Sequence, residues 1–371
     1  MKYTSFALAA LAPLLSVAAP IAESCEAVST VYVTAASASA TGSASTAASS
    51  APALKVAAAN NSTSSSSSSS SGNASSSAVS SGEAFGYAAQ NGGTTGGAGG
   101  QETTVTSLEE LSAAVEGDEA KIVYIDGTIE GADKVKIGSN TSLLGKNSES
   151  GLVGIGLSIK RVENVIVQNL AISKVTADDG EDAINIDEST NVWIDHMDLS
   201  SDMDNGKDYY DGLCDVKHGA DYVTISNTHF HDHYKASLVG HSDSNADEDT
   251  GKLHVTYANN MWTNINSRMP SVRFGTVHIY NNYYEGGDSG INTRMGAQVL
   301  VESTTLEGLK TGVAALYSDE PGYAVLNDVV GAGDELPEEG ELTSVPYEYE
   351  LLGSDSVKSA LEGSVGNTLS L

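Results

Sequence analysis

Cysteine is nearly absent: the 371-residue chain has two, Cys25 and Cys214. Cys25 stands at the end of a leader-like segment, so neither a disulfide framework nor a thiolate zinc cluster is expected in the core. Cys214 reads as a small buried hydrophobe. Basic residues are also scarce, with Lys+Arg 18 against Asp+Glu 49 and a net charge of −31. A nucleic-acid binder needs a basic face to displace counterions, and an anionic membrane repels such a chain. No apolar run reaches the about 18 residues of a membrane span. Neither nucleic acid nor membrane is therefore expected as a partner. Aromatics make up only 6% of the chain, and helix-favouring composition is missing beyond the N-terminal stretch. What is plentiful is Gly, at 38 residues, together with Ser, Thr and Asn. That mixture suits a turn-rich β protein.

Residues 1–19, MKYTSFALAALAPLLSVAA, have the lysine, short apolar run and small residues of a secretory signal, which predicts a secreted, extracellular protein. Residues 20–82 are rich in Ser and Ala, with an unbroken serine run from Ser64 to Ser71. Such a segment cannot bury enough apolar surface to offset its ordering entropy, so it reads as a flexible, O-glycosylated linker or stalk. Asn60, Asn61 and Asn73 begin N-glycosylation sequons there, and Asn140 begins another in the body. Residues 83–371 form one folding unit, expected to be a monomer.

Ser107-Leu108-Glu109-Glu110 is a capping box and predicts one short helix near residues 107–116. Beyond it the pattern turns to period two. Five segments share the template Val-x-φ-x followed by a polar residue, usually Asn: Val165 to Asn169, Val192 to His196, Val223 to Asn227, Val255 to Asn259 and Val277 to Asn281. A weaker sixth begins at Val299, and the first residues of the six stand 27, 31, 32, 22 and 22 apart. Periods of this size signal a solenoid. The units are too short for strand, crossover helix and strand, so the fold is read as all-β, a right-handed parallel β-helix. Each Val and φ points inward. The strand-end Asn residues are read as architectural, as turn formers or as rungs of an amide ladder. The two longer steps predict protruding loops, where a site is expected. After Glu302 the helix is expected to continue and then wrap back as a tail.

Three carboxylates fall about one coil apart: Asp182, then Asp211 and Asp215. Strands of adjacent coils are about 4.8 Å apart, so these side chains can converge. Hard oxygen donors suit Ca²⁺ rather than a thiophilic metal. Acidic trios arise easily among 49 acids, and a solvated face is the plainer reading of the spacing alone. The neighbouring cations change that reading. Lys217, Lys235, Arg268 and Arg273 crowd the same motifs in a chain poor in bases, which points to an anionic ligand gripped by cations and metal together. His229, His231 and His233 alternate along one strand and raise the question of zinc. No HExxH pattern supports it, and packing and hydrogen-bonding roles are preferred.

Taken in order, Asp182-Ala183-Ile184, Asn191 to His196, Asp211-Gly212-Leu213-Cys214-Asp215, Lys235 to His241 and Arg268 to Gly275 resemble the pectate lyases of polysaccharide lyase family 1, in their secreted fungal form. The resemblance runs from about residue 83 to at least residue 302. It implies a parallel β-helix, as the repeat does. It implies Asp182, Asp211 and Asp215 as Ca²⁺ ligands, Arg268 as the catalytic base, and Lys217, Lys235 and Arg273 as holders of uronate carboxylates. The implied reaction is β-elimination of de-esterified polygalacturonate, releasing a 4,5-unsaturated uronide. Arginine is an unusual base, with a pKa above about 12, so an alkaline optimum is expected. One departure stands out: Gly180 occupies a position where the family often has a second acid, with Asp179 and Glu181 as the nearest substitutes.

Three rivals remain. A pectin lyase, acting on methyl-esterified polymer without Ca²⁺, would replace these acids and carry more than the two Trp found here. A β-helical polygalacturonase would use paired aspartates, and Asp178-Asp179 fits only superficially. A non-catalytic wall-binding protein on a similar scaffold would best explain the serine-rich stalk.

Overall fold

The computed structural model describes residues 82–371. The signal segment, nearly all of the linker, Cys25 and the sequons at Asn60, Asn61 and Asn73 lie outside the described residues.

The valine template builds one parallel ladder. Val165 lies opposite Val192, Val192 opposite Val223, Val223 opposite Val255, Val255 opposite Val277 and Val277 opposite Val299. All six are fully buried or nearly so. The ladder begins with Gln101–Val105 and runs on to Tyr323–Val330 and Glu338–Glu339. Period-two alternation puts every second side chain inside, and apolar residues stacked in register make one continuous core. Each coil also supplies a strand to a second ladder, such as Asp198–Ser200, His229–Lys235 and Met261–Ser267. A third ladder contains Ile184–Asp187, Cys214–Lys217, Leu238–Val239 and Ser271–Arg273. The result is a parallel β-helix, as the sequence predicts.

Inside the second ladder, Phe230, Trp262 and Tyr284 stack face to face, with ring centroids 3.9 and 5.6 Å apart and planes within 7°. The expected helix is Leu108–Ala114. Ser107 Oγ accepts the Glu110 N–H at 3.3 Å, and Glu110 reaches back to the Thr106 N–H at 2.9 Å. Cys214 is buried and has no disulfide partner among the described residues.

The strand-end Asn residues are the corner of each coil. Asn169, Asn227, Asn259 and Asn281 all have φ between 49° and 63°, a left-handed turn that Asn tolerates well. The buried amide ladder lies one residue further on. Asn260 Oδ1 accepts the Thr228 N–H at 2.9 Å, and Asn282 Oδ1 accepts the Asn260 N–H at 3.1 Å. Asn140, the sequon within the body, donates from Nδ2 to the Asp118 carbonyl at 2.9 Å.

Past Glu339 the chain turns back along the stack. Tyr347 bonds Thr256 and His278, Tyr349 bonds Glu302, and Asn281 is bracketed by Glu350 and Leu352. The helix Ser354–Leu361 packs against Tyr283. The last residues reach the early coils, where Asn169 binds Leu369 and the Leu371 N–H meets the Lys146 carbonyl at 2.9 Å. Among the described residues no helix is long and apolar enough to cross a membrane.

Candidate active site

Asp182 comes just before the strand Ile184–Asp187 and has no exposed surface. Its Oδ1 accepts the Gly212 N–H at 2.8 Å, and its Oδ2 accepts from Lys217 Nζ at 2.6 Å. Asp215, on the adjacent strand, is 2% exposed and accepts the Leu238 N–H at 3.0 Å. The two carboxylates meet over Gly212. A Cβ there would lie 2.5 Å from Asp215 Oδ1 and 2.8 Å from Asp182 Oδ1, so only glycine permits the approach.

Two acids this close and this dry repel each other. Burial pushes the Asp215 carboxyl well above the usual range, and Asp182 adds to the effect. Lys217 compensates. Burial works against its charge, yet Asp215 and Asp182 raise its pKa.

Asp211 is held separately. Lys235 Nζ lies 3.0 Å from its Oδ1 and 3.2 Å from Asp208. Burial opposes ionisation of Asp211, but Lys235, and then Lys217 and Arg268 by charge alone, bring its pKa below the usual value. His233 anchors the same backbone, with Nε2 2.6 Å from the Asp211 carbonyl and Nδ1 2.6 Å from Ser201 Oγ. Burial lowers its pKa to about 4, which keeps the ring neutral. The alternation expected for the three histidines breaks at Asp232, whose φ of 50° turns His233 inward while His229 and His231 stay outside.

The structure thus brings Asp182 and Asp215 together, with Asp211 acting on Asp215 through charge. Among the described residues, the set of three metal-capable side chains with ligand atoms within 4.8 Å of one another is a different one, Asp198, His229 and His231. Gly180 has no room for an acid, because a Cβ would lie 2.2 Å from Val175 Cγ1. Its neighbours are engaged elsewhere, Asp179 with Thr176 and Glu181 with Lys134 at 2.6 Å.

Of the four cations, Lys217 and Lys235 are on the acids. Arg273 is 8% exposed, ion-paired with Asp243 and bonded to the Gly240 carbonyl at 3.0 Å. Arg268 is different. Its φ is 60°, unusual for a side chain of this size, and its carbonyl accepts the Ser237 N–H at 2.8 Å. Its guanidinium has no hydrogen-bond or ion-pair partner among the described residues.

Sequence reasoning missed Arg294. It lies directly opposite Arg273 in the third ladder and shares Asp243 at 3.2 Å. Burial lowers its pKa, and Arg273 adds to the lowering. The rung period carried the signal, since Arg294 follows Arg273 by about one late coil. The stretch Asn191 to His196 proves architectural. Asp195 is buried and bonds Gln168, His196, Ser226 and Asn227 within the first ladder.

The sequence profile described as "Pectate lyase" matches residues 73–320. The chain is accordingly a polysaccharide lyase on a parallel β-helix. It is 60% identical over 267 residues to "Probable pectate lyase A" of Aspergillus niger, covering 71% of this chain and 81% of that protein. It is 59% identical over 267 residues to "Pectate lyase A" of Emericella nidulans, covering 71% and 80%. Among solved structures, the pectate lyase of Bacillus sp. N165 in complex with trigalacturonate superposes with a TM-score of 0.69 at 30% identity, covering 76% of this chain and 98% of that one. The chain belongs to the pectate lyase family.

Proposed function

We propose that the protein is a secreted, Ca²⁺-dependent pectate lyase that cleaves polygalacturonate by β-elimination. The observation that carries this reading is the Arg268 guanidinium, which has no hydrogen-bond or ion-pair partner among the described residues and is held in a strained backbone beside an acid cluster whose other cations are all engaged. A free guanidinium in so acidic a chain suits a group reserved for substrate. The Bacillus relative solved with trigalacturonate supports a galacturonate ligand.

Asp182, Asp211 and Asp215 would hold the metal. The donor set fits it: every ligand is a hard oxygen, and burial beside Asp182 disfavours the charged form of Asp215, which a cation would stabilise. Bound there, Ca²⁺ supplies charge withdrawal from a substrate carboxylate, which makes the adjacent C5 proton more acidic. The chain's own residues do the rest. Lys217, Lys235 and Arg273 bind and orient uronate carboxylates. Arg268, acting as the unprotonated base, takes the proton from C5. The C–H electron pair becomes the C4–C5 double bond, and the C4–O4 bond breaks, with O4 leaving with the bonding pair on the other half of the chain and taking a proton from solvent. A field set by −31 charges repels the substrate, so these local cations are required for capture. Residues 1–19 serve as the signal, 20–82 as a stalk and 83–371 as the lyase body, acting as a monomer.

The test is ultraviolet detection of the unsaturated product from polygalacturonate and from methylated pectin. Activity on polygalacturonate that chelation abolishes and Ca²⁺ restores is the expected result. Chelator-resistant cleavage of the methylated polymer, or reducing ends without an unsaturated product, would overturn it.

A further inference from the structure

The outer face of the second ladder carries a second cluster. Asp198 lies opposite His229 in register, with His231 two residues along the same strand. Between the histidines, Phe230 points into the core, so both imidazoles share the outer face with Asp198. His231 Nε2 is 3.1 Å from Asp198 Oδ1, and His229 Nδ1 is 3.8 Å from Asp198 Oδ2. A tetrahedral ion with bonds of about 2.0–2.1 Å holds its ligand atoms about 3.4 Å apart; the two separations, each to a different oxygen of Asp198, lie on either side of that value, and one ligand atom from each of the three residues lies within 4.8 Å of the others.

The far nitrogen of each ring is also engaged. His229 Nε2 is 2.8 Å from Thr263 Oγ1, and His231 Nδ1 is 2.8 Å from Asp232 Oδ2. Asp232 is itself held by Asn264 Nδ2 at 2.6 Å. A metal-ligating histidine normally gives its other N–H to such a partner, which fixes the tautomer and aims the lone pair. The rings are 4.4 Å apart and tilted by 26°, so their inner nitrogens already face Asp198 from one side.

We propose that Asp198, His229 and His231 bind one divalent transition metal of the Zn²⁺ class, with a fourth position left to water. Two imidazoles and a carboxylate favour Zn²⁺, Cu²⁺ or Ni²⁺ over Ca²⁺, so the site is chemically distinct from the Asp182 cluster and independent of the lyase reading. The ion joins two neighbouring coils, and its role is to clamp them.

The experiment uses untagged full-length protein, stripped with chelator and returned to saturating Ca²⁺. All 8 histidines of the chain lie in the body, from His196 to His278, so imidazole binding by the N-terminal segment does not arise. Calorimetric titration with Zn²⁺ is expected to give one equivalent bound and a higher melting temperature. His231→Gln and Asp198→Asn are expected to weaken binding by about tenfold or more, while His218→Gln, in the other stacked histidine pair, leaves it unchanged. Co²⁺ in the wild-type protein is expected to show tetrahedral visible bands, a readout that does not depend on a variant folding. No saturable Zn²⁺ binding, binding indifferent to His231→Gln in a folded variant, or octahedral Co²⁺ spectra would overturn the proposal.

Discussion

Lys217 Nζ lies 2.6 Å from Oδ2 of Asp182, a carboxylate with no solvent exposure. Removing one partner of a buried pair leaves an uncompensated charge, at a cost of about 3–5 kcal/mol. Lys217→Met should therefore lower stability in urea by an amount of that order. The Asp182→Asn/Lys217→Met double variant should recover part of it. If the single variant melts like wild type, the pair does not neutralise the acid cluster. Added Ca²⁺ should raise the melting temperature of Lys217→Met more than that of the wild type, because the ion replaces the lost charge.

Among the described residues, the hydrogen bonding of Arg268 is through its backbone alone. Arg268→Lys keeps a positive charge but loses the planar fork. Turnover should fall by about a thousandfold or more, with KM and melting temperature nearly unchanged. Full turnover in the variant would remove Arg268 from proton transfer.

His278 is fully buried between Glu302 and the Tyr347 hydroxyl. Burial lowers its pKa to about 4, although Glu302 opposes this, whereas in the unfolded chain the value is about 6.5. The folded state thus resists a proton that the unfolded state accepts. The resulting stability is fully present above pH 6.5 or so and is lost as pH falls toward about 4. Urea midpoints should drop across that window, and His278→Gln should flatten the drop. An equal slope in both proteins would exclude His278 as its source.

Trp262 stacks between Phe230 and Tyr284, and its buried indole N–H has no hydrogen-bond partner among the described residues. Trp262→Ala should cost about 3–5 kcal/mol through the cavity it opens. Trp262→Phe should cost much less, since the stack persists and an unsatisfied donor disappears. Similar losses in the two variants would show that ring size, not stacking, sets the stability.

The stacked valines were legible because a parallel coil repeats one hydrophobic demand at one register, and Val165 through Val299 meet it in line. The Asn ladder was harder to place. Asn259 and Asn260 are both polar, and only backbone geometry decides that the first turns the corner while the second is buried between coils. Asp182 and Asp215 could be named from their motifs, but their contact over Gly212 depends on an absent Cβ, which the sequence shows only as a glycine. Arg294 and Asp243 were missed because their association arises across coils, at 51 residues' separation. The inward turn of His233 rests on one left-handed residue, Asp232, and a strict period-two reading cannot register it.

The returning C-terminal segment alters how the stack comes apart. A simple solenoid contacts only nearest neighbours and frays coil by coil from its ends. Here Tyr347, Asn281, Asn169 and Leu371 fasten the last residues across coils from the late to the early part of the stack. Loosening a terminal coil therefore disturbs middle ones, and a linear array gains the all-or-none cooperativity of a compact globule.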